Sequence, residues 1–167
     1  IAFASGVRAV VLVPGNMGRR AAHRLFHLEE EQVVEISNEW GFSVDVLKAH
    51  PFTALLALGH PGKLAKLTSG DWDTHSARSR SATAAVRSLL PEDLVSIVPD
   101  AETVEAMFDA VPASRLQAVG GRVAEAVRDA IRMRHSGPDV AVVLTNLKGD
   151  VTGRAGDLSR WKERVSQ

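Results

Sequence analysis

Four short apolar runs limit what this 167-residue chain can fold into. Each run is too short for a buried helix, and each ends in glycine, proline or polar residues. The runs lie at residues 7–13, 33–36, 53–58 and 140–144. Such runs are typical of strands that are buried on both faces of a parallel sheet. Because segments with helical spacing separate them, the sequence predicts a three-layer α/β fold, with a mostly parallel sheet of four to six strands covered by helices.

The segments between these runs carry apolar residues three or four positions apart, which predicts helices. The predicted helices lie at residues 19–26, 40–47, 63–67, 77–90, 104–111, 116–131 and 157–165. We expect Asp100 to cap the helix at 104–111, and Ser37 or Asn38 to cap the helix at 40–47. Residues 148–156 are rich in turn formers and predict a hairpin that leads into an edge strand.

The charges of the chain balance, with 20 Lys and Arg against 20 Asp and Glu. No overall field draws such a chain to nucleic acid or to an anionic membrane, so we expect neither partner and only local recognition of anions. The absence of cysteine excludes disulfides and thiolate catalysis and fits a cytoplasmic protein. The apolar runs are too short to span a bilayer. The chain begins with Ile1 and not with Met, which indicates that a preceding segment was removed or belongs elsewhere.

Residues 53–78 carry the densest chemistry of the chain. A buried strand is followed by a bend that Gly59 and Gly62 bracket, and then by a short helix with Lys63 at its start. The first N–H groups of that helix and the Lys63 ammonium are expected to face an anion beyond the strand. A polar cluster comes next, formed by Asp71, Asp73, Thr74, His75, Ser76 and Arg78. An alternative for part of this cluster is that Asp73 or Ser76 caps the helix at 77–90.

Two further loops follow predicted strands, at residues 15–18 and 37–39. The carboxyl ends of adjacent parallel strands converge on one crevice, so these loops and residues 59–63 predict a binding site for a small molecule. The G-x-x-G spacing of the first loop lacks the third glycine of a dinucleotide fingerprint, so it is weak support for NAD. Asn38 either faces the ligand or caps a helix; the sequence leaves both readings open.

Metal and acyl-enzyme chemistry find less support. His60, His75 and the neighbouring acids could supply metal ligands, but no H-E-x-x-H spacing is present, and His23 and His27 lie among arginines. Ser76 adjoins a histidine without the G-x-S-x-G elbow of a serine nucleophile. The sequence therefore predicts no metal site and no acyl-enzyme.

Four ordered blocks of the sequence resemble the CbiD family, the cobalt-precorrin-5B C(1)-methyltransferases of anaerobic cobalamin biosynthesis. The blocks are VVLVPGNMG at 10–18, VVEISNEWGF at 33–42, LGHPGKLAKLTSG at 58–70 and DTHSAR at 73–78. Asp73 stands where the family commonly has Asn. From residue 77 onward the resemblance is confined to a general order of helices and a strand. Family members carry a further amino-terminal domain, so the resemblance implies that residues 1–167 form a single α/β domain from the carboxyl-terminal part of a larger enzyme.

The resemblance implies transfer of a methyl group from S-adenosylmethionine to ring carbon 1 of a cobalt-containing tetrapyrrole. The positions that match the cofactor loops are Gly15, Asn16, Gly18, Ser37, Asn38, Gly59, His60 and Gly62. Those assigned to the substrate are Lys63, Lys66, Ser76 and Arg78, and those assigned to catalysis are His75, Asp73 and Thr74. His75 is the candidate for proton handling, because an ordinary histidine titrates near neutral pH.

A second hypothesis stays open at this point. A non-catalytic α/β module that binds a nucleotide or a tetrapyrrole needs the same loops and no acid or base. The oligomeric state is open as well, and a homo-oligomer is compatible with the sequence.

Overall fold

The computed structural model describes residue 2 and residues 4–164. Its sheet has five strands in the order β2-β1-β3-β4-β5, of which the first four are parallel and β5 is antiparallel to β4. The strands are β1 Ala9–Val13, β2 Val33–Glu35, β3 Ala54–Gly59, β4 Asp139–Thr145 and β5 Val151–Ala155. The prediction of a mostly parallel α/β sheet is thus confirmed, including an edge strand at the end of the turn-rich segment.

Seven α-helices cover this sheet in the described part of the chain. They are α1 Asn16–Leu25, α2 Trp40–Lys48, α3 Pro61–Leu64, α4 Ala82–Ser88, α5 Glu92–Val95, α6 Val104–Ala110 and α7 Ala113–Arg134. Short 3₁₀ turns at Glu30–Gln32 and Ala65–Ser69 join α1 to β2 and extend α3. None of the described helices combines the length and the hydropathy that crossing a membrane requires.

Side chains that alternate along the strands build two cores, one on each face of the sheet. Val11 and Val13 of β1 face the smaller core, which α1 and Trp161 cover. Val10 and Leu12 face the larger core, which α2 and the helices from α3 to α7 cover. Strands with apolar residues on both faces need helices on both faces, which explains the three layers.

The predicted amino-terminal ends of α4 and α6 need correction. The helix predicted at 77–90 begins only at Ala82, and Ser81 is its cap, with the Thr83 N–H donating to the serine hydroxyl at 3.3 Å. Asp73 and Ser76 cap no helix, because side chains of the polar cluster bind backbone groups of their own loop. Thr103, and not Asp100, caps α6.

Helix α2 has no side-chain cap, so the prediction for Ser37 and Asn38 is wrong. Ser37 has a left-handed backbone with φ of 54°, and the Asn38 side chain turns toward the carboxyl end of the sheet. The terminal helix predicted at 157–165 is also absent from the described residues 157–164. There, Glu163 pairs with Phe26 in an isolated antiparallel bridge, and Val165 lies outside the described residues.

Helix α7 crosses β5 with its backbone almost in contact with the strand. A Cβ on Gly120 would lie 1.7 Å from the Thr152 carbonyl oxygen, and a Cβ on Gly153 would lie 2.2 Å from the Gly120 carbonyl. The two glycines thus let helix and edge strand approach more closely than any side chain allows. Gly121 does not interrupt the helix, and a Cβ there would meet its nearest neighbour only at 4.0 Å.

The carboxyl end of α7 is tied to α2 through Arg134. Its guanidinium donates two hydrogen bonds to Asp45, at 3.1 and 2.5 Å, and lies over the Trp72 ring at 4.6 Å. Lys48 adds an ion pair to the same carboxylate at 2.8 Å. Arg134 and then Lys48 lower the pKa of Asp45 from its ordinary 3.8 to about 2.

We expect Gly120→Ala to lower the free energy of unfolding by about 2 kcal/mol or more, because backbone on the facing strand blocks the new methyl group. Gly121→Ala is the matched control and should be neutral or raise stability by up to about 1 kcal/mol through helix propensity. Urea unfolding of both variants measures the difference. Equal effects of the two substitutions would contradict the close helix–strand contact.

The ion pairs of Asp45 predict that the free energy of unfolding depends on pH in the acidic range. Since the pKa of Asp45 is lower in the folded chain than in the unfolded one, its stabilising contribution is present above about pH 4 and is lost as the pH falls toward 2. Asp45→Asn should therefore be less stable than the parent at pH 5, and the gap should close between pH 4 and 2. Urea unfolding across this range is the measurement, with Asp129→Asn as control. A gap that does not change with pH would refute the assignment.

Candidate functional site

A cleft of about 510 Å³ opens where the carboxyl ends of β1, β3 and β4 meet. The chain leaves β1 toward β2 on one side and places β3 on the other, so the cleft lies at the switch in strand order, where α/β sheets generally bind ligands. Three loops line it: the turn from β1 into α1, the turn from β3 into α3, and the turn between β4 and β5. Its lining residues are Pro14, Gly15, Asn16, Met17, Gly18, Arg20, Ala21, Arg24, His60, Lys63, Thr145, Asn146, Leu147, Lys148 and Gly149.

The loop from β1 into α1 lies tight against β3. A Cβ on Gly59 would lie 2.8 Å from the Pro14 ring, and a Cβ on Gly18 would lie 3.0 Å from Cβ of Val13. No side chain caps α1, so its first N–H groups face the cleft without an intramolecular side-chain partner. An uncapped helix start at the floor of a cleft favours an anionic ligand group.

His60 closes the next side of the cleft and caps α3. The Gly62 N–H donates to its Nδ1 at 3.0 Å, and its Nε2 lies 2.6 Å from a Glu105 carboxylate oxygen. Nδ1 accepts a hydrogen bond, so Nε2 carries the hydrogen that is donated to Glu105. Both ring nitrogens are thus engaged, which makes His60 a residue that shapes the β3–α3 turn.

Lys63 joins the cleft to the polar cluster. Its Nζ donates to the Asn38 side-chain oxygen at 2.6 Å, and the buried Thr74 hydroxyl donates to the same oxygen at 3.3 Å. The Thr74 N–H also donates to the Asn38 carbonyl at 3.0 Å. Since the partner of Lys63 is a neutral amide, the ammonium charge is not neutralised and remains available to a ligand.

Lys66 lies under the polar cluster and is only 8% exposed. Its Nζ donates to the Ser79 hydroxyl at 2.7 Å and to the Thr74 carbonyl at 3.2 Å. Burial and, second, the neighbouring Lys63 charge lower the pKa of Lys66. In this position Lys66 anchors the loop of the polar cluster from below.

The rest of the polar cluster lies on the outside of that loop. Asp73 accepts a hydrogen bond from the His75 N–H at 3.0 Å and pairs with Arg78 at 2.8 Å. The Ala77 N–H donates to Nδ1 of His75 at 3.2 Å, while His75 and Ser76 are exposed. None of these side chains lines the cleft.

The charged side chains that line the cleft are all cationic. Four cationic side chains line it, namely Arg20, Arg24, Lys63 and Lys148, and no acidic residue does. Among the described residues Arg20 has no carboxylate within ion-pair distance, and Arg24 reaches Asp150 only at 3.8 Å. The arrangement suits a ligand with several anionic groups. Nowhere in residues 4–164 do three or more His, Asp or Glu side chains gather in a way that could hold a metal ion.

The residues predicted for the site fall into two groups, those that line the cleft and those that lie outside its lining. Gly15, Asn16, Gly18, His60 and Lys63 line one cleft, as the convergence of strand ends predicts. Asn38 contacts Lys63 from outside it, and Thr74 contacts Asn38. Ser37, Lys66, Ser76 and Arg78 lie apart from the lining. Sequence reasoning missed Arg20, Arg24 and the turn at 145–149. The signal for that turn was the polar stretch directly after the last apolar run, which obeys the same strand-end rule.

Comparison with known proteins decides the family. The family model for the C-terminal domain of CbiD matches residues 73–156. The chain belongs to the CbiD family. The family model matches the part of the chain where sequence analysis found only a general order of helices and a strand. The expectation that the resemblance is confined to this general order after residue 77 is therefore wrong. Apolar spacing alone looks alike in any α/β protein, which explains the error.

Curated relatives match nearly the whole chain. The cobalt-precorrin-5B C(1)-methyltransferase of Syntrophotalea carbinolica is 50% identical over 164 residues, which cover 97% of this chain and 47% of that protein. Proteins of the same name from Methanocaldococcus jannaschii and Klebsiella pneumoniae are each 30% identical, over 92% and 93% of this chain and 44% of their own length. The chain spans about half the length of the curated relatives it matches. No solved structure matches it.

The anchor role of Lys66 predicts how fast trypsin cuts the polar cluster. Lys66→Met removes both hydrogen bonds from the ammonium, so cleavage after Arg78 and Arg80 should become roughly tenfold faster through local opening. Lys162→Met is the control, because Lys162 is exposed in a different segment of the chain and leaves the anchor in place. Mass spectrometry of timed digests gives the rates. Equal rates for both variants would show that Lys66 does not hold this loop.

Proposed function

We propose that this chain is the ligand-binding part of a C-methyltransferase that moves a methyl group from S-adenosylmethionine to ring carbon 1 of cobalt-precorrin-5B in cobalamin biosynthesis. The observation that carries the proposal is the cleft at the switch in strand order, with an uncapped helix start, four cations and no acidic residue. The names of the curated relatives supply the reaction and the substrate class. The proposal assigns both to this chain.

The start of α1 fits the amino-acid end of S-adenosylmethionine. A carboxylate there would meet the free N–H groups at the start of α1 and the Lys63 ammonium. A Cβ on Gly15 would meet no atom within 4 Å, so the backbone there is open to close approach, whereas Gly18 lets α1 lie close to the end of β1. Asn16, which is exposed at the first position of α1, offers an amide to the ligand. The cofactor assignment of Gly15, Asn16 and Gly18 rests on this fit.

S-adenosylmethionine supplies a methyl group on a sulfonium, which an electron-rich carbon can displace. The task that remains for the protein is to hold donor and acceptor close together and aligned. The contacts of Pro14 with Gly18 and Gly59 fix the first loop, and the hydrogen bonds of His60 fix the second. In the proposal, Gly59, His60 and Gly62 therefore serve the cofactor site by setting its shape.

The polar cluster borders the cleft through Asn38 and Thr74, and we assign it to the substrate and to catalysis. Because Nδ1 of His75 accepts the Ala77 N–H, the neutral ring carries its hydrogen on Nε2. In this state His75 can donate a hydrogen bond to a substrate carboxylate, and taking up a proton requires release of the Ala77 N–H. Asp73 orients the His75 backbone, and Ser76 and Arg78 lie beside it for contacts to the substrate.

Two observations favour the alternative of a binding module without catalysis. The proposed catalytic residues Asp73, Thr74 and His75 do not line the cleft, and the chain covers only about half of its relatives. In that alternative the remaining half of the enzyme would supply the acid or base. The cleft would still bind the same ligands.

We expect S-adenosylhomocysteine to bind this chain with an affinity in the micromolar range, and Asn16→Ala to weaken it roughly tenfold through loss of a contact at the start of α1. Titration calorimetry measures both. Ser114→Ala, which truncates a polar residue in the first turn of α7, is the matched control and should bind like the parent. Absence of heat at high ligand concentration would contradict a cofactor site on this chain, and equal affinities for Asn16→Ala and the parent would place it away from α1.

A further inference from the structure

The mouth of the cleft has a rim of four exposed side chains, two from each side. Met17 and Arg20 project from α1, and Leu147 and Lys148 project from the turn between β4 and β5. The two apolar side chains, Met17 and Leu147, are 53% and 55% exposed, so both can contact a ligand. Each side of the rim thus offers one apolar and one cationic group.

The two sides of this rim are held in place by Arg24. Its guanidinium donates to the Lys148 carbonyl at 3.3 Å and to the Gly149 carbonyl. Gly149 has a left-handed φ of 85°, and a Cβ there would lie 2.8 Å from the Arg24 guanidinium. The β4–β5 turn is therefore fastened to α1, so the rim is a preformed feature of the cleft.

We propose that this rim binds the tetrapyrrole, with Met17 and Leu147 against the apolar face of the macrocycle and Arg20 and Lys148 on its peripheral carboxylates. The inference rests on the proposed function and assigns the place and the residues of substrate binding. A flat apolar ring edged with carboxylates complements apolar side chains that alternate with cations and lack any acidic neighbour in the lining.

The proposal also agrees with the geometry that methyl transfer needs. The uncapped start of α1 and Lys63 line the same cleft as the four exposed side chains of the rim. If the cofactor binds within the cleft and the macrocycle binds across the rim, the donor methyl group lies at the edge of the macrocycle. The volume of about 510 Å³ is then occupied by the cofactor, and the larger substrate lies over the opening.

The test uses uroporphyrin, a tetrapyrrole with carboxylates around the whole ring and no cobalt, titrated by absorbance against the intact chain. Arg20→Gln and Lys148→Gln should each weaken binding about tenfold and make it less sensitive to salt. Met17→Ser and Leu147→Ser should each weaken it about fivefold through loss of apolar contact. Arg132→Gln and Met133→Ser are the matched controls, because both residues are exposed at the end of α7 and lie outside the cleft lining.

Weakened binding in the four rim variants with unchanged binding in both controls supports the assignment. No binding to the parent chain, unchanged binding in the rim variants, or equal weakening in the controls overturns it. Titration of the parent chain with S-adenosylhomocysteine separates this result from the proposed function. Cofactor binding without rim-dependent uroporphyrin binding would refute the rim alone, whereas uroporphyrin binding at the rim without cofactor binding would refute the cofactor site and leave the rim standing.

Discussion

The close contact of Pro14 with Gly18 and Gly59 sets the geometry of the whole carboxyl edge of the sheet. It presses the loop from β1 into α1 against the end of β3, so the start of α1 and the start of α3 face the same space. A side chain at either glycine would push the two loops apart and widen the cleft. The charges, the uncapped helix start and the rim acquire a common location only because this approach is possible.

Around that contact the structure separates rigid support from ligand-facing groups. His60, Arg24 and Lys66 form hydrogen bonds with backbone or side-chain partners within the chain, and each holds one loop in place. Arg20 and Lys148 are exposed, and Lys63 bonds a neutral amide. Such a division, in which some polar residues position the site and others remain available, is what a preorganised binding site requires.

The alternation of apolar runs and helical segments was sufficient to predict the layers, the parallel strands and the convergence of the loops at 15–18 and 59–63. The third loop of that prediction, at 37–39, lies outside the cleft lining. The predicted start of α4 was wrong because side chains compete with helix formation there. Asp73 and His75 accept hydrogen bonds from N–H groups of their own loop, and the helix begins only at Ala82. The burial of Lys66 depends on the loop that folds over it, which is a tertiary effect. The β4–β5 turn was missed because residues 148–156 were interpreted only as a hairpin that leads into an edge strand, although the polar stretch after the last apolar run obeys the same strand-end rule.

Lys63, which lines the cleft, lies close enough to Lys66, under the polar cluster, for their charges to interact. The Lys63 charge is one of the causes that lower the pKa of Lys66, so the two ammonium groups repel each other across the base of the loop. An anion bound beside Lys63 would offset that repulsion and strengthen the hold of Lys66 on Thr74 and Ser79. By thermodynamic reciprocity, a firmly held loop would in turn raise the affinity of the cleft for the anion. We therefore expect anion binding beside Lys63 and the hold of Lys66 on its loop to strengthen each other.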